Sequence, residues 1–239
     1  MTIDVFTPAD GIRQLTFNRP EKRNAITSAM YTTLAGGLAE ADADPSTRVI
    51  VLTGAGGFFT AGNDLGDFRP GADASDARRF LHAIVDCATP IVVAVEGVCV
   101  GVGTTLLQHS DFVYAGERTI FALPFTKLGL TPEGGSSQLL PRRAGRLLAN
   151  RLLLLGEKFD AATAQRAGLV TDVVPDGRAL DAALECAQKL LALPPEALTD
   201  SLHLLADDRD ALHELIDQEI EVFVSHIASA EFAKLHGLG

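Results

Sequence analysis

Two apolar runs, each ending in a glycine-rich loop, constrain this chain more than any other feature. RVIVLTG (48–54) leads into GAGGFFTAGNDLGDF, and IVVAVEG (91–97) leads into GVCVGVGTTLLQHSD. Neither run alternates apolar with polar residues, so each reads as a strand buried on both faces, as in a sheet flanked by helices. IRQLTF (12–17) reads as a further strand. Ser28 to about Asp42 reads as a helix with Thr27 or Ser28 as its cap, and residues 75–87 as a helix capped by Ser75. Strand, loop and helix thus repeat three times before residue 110. FVYAG and TIFAL are expected as short strands. From 142 the pattern turns helical through RRAGRLLANRLLLLG and AATAQRAG, passes a VTDVV strand, and continues as helices near 178–192, 195–206 and 210–228. The class is α/β with a helical C-terminal part. No fixed-period repeat and no low-complexity linker interrupts it.

The bulk numbers narrow the function. A chain of 239 residues suggests one domain of generous size, or one domain with a helical appendage. Hydrophobic residues at 47% and charged ones at 21% allow a large core and argue against disorder. A net charge of -11 argues against nucleic acid and an anionic membrane surface as partners. It does not forbid an anionic small molecule, for which a few local cations suffice. Cys87, Cys99 and Cys186 are odd in number and have no metal-like spacing, so they are expected as reduced thiols in a cytoplasmic protein. MTIDVFTPAD does not read as a signal peptide, no apolar run reaches about 18 residues, and HGLG matches no targeting tail.

Candidate chemistry sits in the two loops and in one acid. Gly62 precedes Asn63, Asp64 and Leu65; Gly101 and Gly103 flank Val102, near a helix start. Glycine lets backbone approach a ligand, and a helix start offers unpaired N–H groups. Two such loops from neighbouring strand ends can aim two donors at one oxygen, as in an oxyanion hole. The alternative is a pair of tight turns without a ligand. GVGTTLLQ lacks the third glycine of a dinucleotide fingerprint. Glu133 stands alone in LGLTPEGGSSQLLPR, between a proline and two glycines. It is either a catalytic carboxylate or an acid favouring the dipole of a helix beginning near Gly134.

NRPEKRNAI, then GAGGFFTAGNDL, then VEGVCVGVG and SDFVYAGERTIFALPFTKLGLTPEGGSSQLLPR, in that order, resemble the crotonase (enoyl-CoA hydratase/isomerase) superfamily. The resemblance runs from about residue 12 to 175 and includes GEKFDAATAQRAGLVTDVV. It implies a crotonase (ClpP-like) spiral of repeated ββα units. Residues 1–175 would form the core with an acyl-CoA site, and 176–239 a helical region for oligomerisation and site cover. It also implies that the backbone amides of Asn63 and Val102 hold an acyl-CoA thioester oxygen beside Gly101. Ala61, Asp64 and Leu65 resemble the stretch whose backbone reads adenine, and Arg23 and Ala25 the loop along the CoA moiety. Arg19, Lys22 and Arg23 form a basic cluster that either meets the CoA phosphates or is a solvated loop. A homotrimer or hexamer is implied, with no cofactor beyond the CoA of the substrate.

The hydratases of that family carry two glutamates, at positions that are Thr105 and Phe125 here, which argues against water addition. PFTKLGLTPEGGSS resembles instead the peroxisomal-type 3,2-enoyl-CoA isomerase branch, whose single catalytic glutamate corresponds to Glu133. Phe125, Leu128 and Leu130 are expected to raise its basicity and keep water away. Another crotonase reaction, such as hydration, lysis or thioester cleavage, and a non-catalytic acyl-CoA binder are the alternatives. His82 and His109 are expected as core or surface histidines. Asp64 is not expected as an acid, nor Glu96 in more than a structural role. Ser136 and Ser137 lack a partnered histidine. SAEFAKLHGLG stops about where the family's last helix usually continues with an aromatic and a basic residue that cover the adenine.

Overall fold

The computed structural model describes residues 2–67, 74–206 and 208–237. In chain order the strands are β1 (Ile3–Ala9), β2 (Ile12–Phe17), β3 (Val49–Gly54), β4 (Ile91–Val95), β5 (Val98–Val100), β6 (Phe112–Gly116), β7 (Ile120–Ala122), β8 (Lys158–Asp160) and β9 (Asp172–Val174). The helices are α1 (Ser28–Ala43), α2 (Ser75–Asp86), α3 (Val102–Thr105), α4 (Ser136–Ala144), α5 (Arg146–Leu154), α6 (Ala161–Arg166), α7 (Ala179–Leu191), α8 (Pro195–Leu205), α9 (Arg209–Ile227) and α10 (Ala230–His236). Six strands form one sheet in the order β1-β2-β3-β4-β6-β9, parallel except for the β1–β2 hairpin. β5, β7 and β8 form a second, smaller sheet. Successive strands thus divide between two sheets, which is the expected spiral.

Side-chain alternation explains the unbroken apolar runs. Ile50 and Leu52 of β3, with Ile91, Val93 and Val95 of β4, join the large core shared with α1, α2 and α9. Val49 and Val51, with Val92 and Ala94, face the other way onto Ala179, Ala183, Ala187 and Leu190 of α7. Both sheet faces are therefore dry, as the sequence implied. Glu96, at the C-terminal end of β4, accepts hydrogen bonds from the Gly177 and Ala179 amides at 2.9 and 3.1 Å. It caps α7, which is a structural role.

Several boundaries differ from the reading of the sequence. β5 and β8 are three residues each, too short for a period to register, and β1 is an edge strand with mostly exposed side chains. Thr27 is the side-chain cap of α1, accepting from the Met30 amide. Ser75 is not a cap but the first residue of α2, after Ala74. That end is pinned instead by Asp76, which accepts from the Ser28 and Thr32 hydroxyls of α1. The helical stretch expected from 142 is two helices broken at Gly145 (φ 77°), and the first of them, α4, starts at Ser136, two residues past Gly134. SAEFAKLH forms α10, which docks Phe232 in the core and brings His236 Nε2 to 3.0 Å from the Leu128 carbonyl. Among the described residues, no helix is long and apolar enough to cross a membrane.

Candidate active site

The loops after β3 and β4 run side by side. The Phe59 and Thr60 amides donate to the Glu96 and Val98 carbonyls at 2.8 and 3.1 Å, and the Val100 amide donates back to Thr60 O at 3.0 Å. Their approach depends on glycine. A Cβ at Gly62 (φ 86°) would lie 2.7 Å from the Val100 carbonyl oxygen, and one at Gly103 would lie 2.3 Å from Thr60 Cγ2. Asn63 pairs with Ile26 through its neighbours: the Ile26 amide donates to Gly62 O, and the Asp64 amide to Ile26 O, both at 2.8 Å. In such a parallel bridge the N–H of Asn63 itself points to the opposite side, away from Ile26. Val102 is the first residue of α3, so its N–H has no acceptor within the helix. Gly101, at φ 56° and ψ -124°, makes the turn into that helix. The chain thus brings two loops with available N–H donors together at Gly62 and Gly101.

These loops border a cavity of about 220 Å³. Ala61, Gly62, Asn63, Val100 and Gly101 line it from the two glycine loops, and Phe125, Leu128, Leu130 and Phe223 add apolar side chains. A smaller cavity of about 80 Å³ shares Asn63 and Phe223 and adds Tyr31. The Tyr31 hydroxyl donates to Asn63 Oδ1 at 2.5 Å.

Glu133 lies outside the lining of both cavities, as does Val102. It is 5% exposed, and Thr105 Oγ1 donates to its Oε1 at 2.6 Å. Thr105 Oγ1 is also 3.2 Å from the Val102 carbonyl, so one hydroxyl joins the acid to the turn at Gly101. The acid is joined to the other loop electrostatically: its charge, after burial, raises the pKa of Tyr31, the partner of Asn63. Burial pushes the Glu133 carboxyl up to about 8; the Thr105 hydrogen bond opposes this and the charge of Glu219 adds to it. Gly134 and Gly135, at φ 68° and 75°, turn the chain between the acid and α4. The Gly134 carbonyl accepts from His109 Nε2 at 2.7 Å, which requires that nitrogen to carry the proton.

Other expected residues have different fates. Arg19 is paired within the protein: Nη1 donates to Asp64 Oδ2 at 2.5 Å and to the Ala25 carbonyl at 3.1 Å. That pairing holds the Asp64 carboxyl below the usual carboxylate range, the Arg19 hydrogen bond being the largest cause. Lys22 and Arg23 remain exposed, Arg23 with its guanidinium 5.9 Å from the Phe58 ring centre. Ala25 is half-buried in the same loop, and Leu65 opens a 3-10 turn ending at Asp67. His82 stacks on His213 with ring centres 4.2 Å apart between α2 and α9.

Three residues escaped the sequence reading. Asn24, fully buried at φ 57°, donates to the Ala55 and Phe58 carbonyls at 3.0 and 2.7 Å and accepts from the Arg19 amide, tying the NRPEKRNAI loop to the first glycine loop. Asparagine's tolerance of the left-handed region was its available signal. Tyr31 and Glu219 sit inside amphipathic helices and carried none.

Two sheets wound in a spiral, with two glycine-rich loops side by side at a cavity and a buried Glu133 nearby, define a protein of the crotonase fold. The chain belongs to the enoyl-CoA hydratase/isomerase family, whose pattern matches residues 7–238. It is 36% identical to human enoyl-CoA delta isomerase 2 over 238 residues, 95% of this chain and 60% of that protein. The chain therefore spans less than two thirds of that relative's length. It is 38% identical to 2,3-dehydroadipyl-CoA hydratase of Escherichia coli over 214 residues, 87% of this chain and 84% of that one. The crystal structure of an enoyl-CoA hydratase/isomerase from Pseudoalteromonas atlantica superposes with a TM-score of 0.93 at 39% identity, covering 99% of this chain and 96% of that one.

Proposed function

We propose that the chain is an acyl-CoA isomerase that moves a double bond from C3 to C2 of an enoyl-CoA, with Glu133 as the single base. The thioester oxygen is held by the Asn63 and Val102 amides, the acyl chain lies against Phe125, Leu128 and Leu130, and the CoA runs along Arg23, Ala25, Ala61, Asp64 and Leu65. Ionised Glu133 takes a proton from C2. The C–H electron pair becomes the C1–C2 double bond of a dienolate whose charge rests on the thioester oxygen. The same carboxyl then protonates C4, the C3–C4 π electrons forming that bond, and the double bond re-forms between C2 and C3. Water takes no part, and no group beyond the substrate is required. One oxyanion donor contributes roughly 3 kcal/mol to such a transition state, and a positioned base a factor of about 10² to 10⁴.

The observation that carries this reading is the state of the acids. Glu133 is buried, raised to about 8 and bonded to one hydroxyl, so its second oxygen is available. The neighbouring Glu219 has both oxygens occupied by backbone amides. The two positions that carry the hydratase acids hold Thr105, whose hydroxyl is directed at Glu133, and Phe125, which lines the cavity. Activity should therefore appear with 3-enoyl-CoA thioesters and not as water addition to crotonyl-CoA, and Glu133→Gln should abolish it while the fold persists. A fully active Glu133→Gln enzyme ends this assignment. Assembly as a trimer or hexamer in the cytoplasm belongs to the same reading; Leu147, Leu204 and Leu205, exposed on α5 and α8, suit burial between copies.

A further inference from the structure

We infer that Glu219, on α9, is a positioning residue for Glu133. The inference rests on the reading of Glu133 as the base. Glu219 is 8% exposed. Its Oε2 accepts from the Gly135 amide at 2.6 Å and its Oε1 from the Ser137 amide at 2.9 Å. Those amides flank the start of α4, so one carboxylate spans the turn that immediately follows Glu133. Ser136 closes that turn from within, its hydroxyl and amide donating to the Glu133 carbonyl at 2.6 and 3.2 Å, but Gly134 and Gly135 are both left-handed and put no side chain on it, so contacts from outside add to its hold. Glu219 supplies one from α9, and His109 a second through the Gly134 carbonyl. One turn further along α9, Phe223 lines both cavities. Helix α9 thus holds the base loop and walls the acyl space from one face, with residues at i and i+4.

The charge of Glu219 has a second effect. Burial raises its pKa above the ordinary carboxylate range, and the hydrogen bonds from the Ser137 and Gly135 amides oppose this. Its field raises that of Glu133. The groups facing Glu133 are Thr105 from α3, Glu219 from α9 and Tyr31 from α1. Charged groups across the α2–α9 contact, Arg78, His82 and Asp86 against His213 and Asp217, pair with one another.

Glu219→Gln separates the effects. A carboxamide has one acceptor oxygen, so its NH2 meets either the Gly135 or the Ser137 N–H donor to donor. With 3-enoyl-CoA, kcat should fall about ten- to hundredfold, the scale of a misplaced catalytic group, while KM stays within about twofold. The Glu133 midpoint, followed through the ¹³C resonance of its side-chain carboxyl and assigned by its loss in Glu133→Gln, should move to lower pH. Glu219→Asp keeps the charge but is one methylene short: it should leave that midpoint high and still lose kcat, and it carries the test if Glu219→Gln does not fold. Octanoyl-CoA calorimetry and helical circular dichroism report binding and fold. Unchanged kcat and midpoint in Glu219→Gln, or wild-type turnover in Glu219→Asp, overturns the inference. Failure of the wild-type enzyme to isomerise 3-enoyl-CoA overturns the proposed reaction instead, and the carboxyl titration then decides separately whether Glu219 acts on Glu133.

Discussion

Burying Glu133 destabilises the folded chain in a way that can be measured. Its carboxyl is raised from the 4.5 of an ordinary glutamate to about 8, chiefly by loss of water. In the unfolded chain it ionises near the ordinary value. Between those two pH values the folded state holds a proton that the unfolded state has released, so stability falls as pH rises from about 4.5 to about 8 and levels off above. At 1.36 kcal/mol per pH unit, the full interval corresponds to roughly 5 kcal/mol, of which about 3 is already lost at pH 7. Glu133→Gln has nearly the same shape and keeps an oxygen for the Thr105 hydroxyl, so packing cancels in the comparison. The variant should match the parent below pH 4.5 and exceed it progressively above. For a chain of this length, roughly 5 kcal/mol is worth about 10 °C or more in Tm.

The assay is calorimetric unfolding of both proteins at equal concentration from pH 4 to 9, beside turnover of a 3-enoyl-CoA. Removing Glu133 also relieves Glu219 of a like charge, which acts in the same direction. The expected outcome is that the more stable protein is the inactive one. Parallel Tm curves across that range would refute the premise that the acid is held dry, and with it the argument that desolvation makes it a competent base.

Other perturbations probe the remaining contacts. Thr105→Val removes the donor that lowers the Glu133 pKa, so the alkaline rise in kcat should move to higher pH and activity at pH 7 should fall; an unchanged pH–rate profile contradicts this. Gly62→Ala puts a Cβ 2.7 Å from the Val100 carbonyl at a φ of 86°; strain of about 1–3 kcal/mol should appear as a lower Tm, with kcat/KM reduced at least about tenfold as the two loops separate. Asp64→Asn weakens the Arg19 pairing; steady-state kinetics should show KM for acyl-CoA rising more than kcat falls, with a stability loss of roughly 1–3 kcal/mol.

What the sequence disclosed follows from how locally each feature is written. β3 and β4 were legible because a strand covered on both faces must be apolar at every position. Glu133 was legible because an isolated acid beside two glycines in an apolar stretch stands out. Partners distant in the chain were not. Arg19 reads as a basic loop residue, either meeting phosphate or solvated, and only the fold reveals Asp64, 45 positions on, as a partner of its Nη1. Glu219 reads as one more charge on an amphipathic helix until α9 is laid across the start of α4, which lies 84 positions earlier. Asn24 follows the charged run Glu21–Arg23, and its tolerance of the left-handed region hints at a turn but not at a carboxamide buried against two carbonyls.

Proton counting at Thr105 links the absent second acid to the proposed reaction. Its hydroxyl carries one proton and faces two acceptors, Glu133 Oε1 at 2.6 Å and the Val102 carbonyl at 3.2 Å. When Glu133 is ionised, that proton goes to the carboxylate. When Glu133 is protonated, its own proton is donated to Thr105 Oγ1, and the threonine proton turns to Val102 O. Both states of the base are hydrogen-bonded, and neither requires water. An acid at position 105 would behave differently: two carboxyls in one dry site share a proton, and their ionisations separate into two coupled steps. That arrangement suits positioning and deprotonating a water. A base that removes a proton from one carbon and returns it to another needs a single carboxyl that stays hydrogen-bonded in both protonation states, and a threonine hydroxyl provides for both.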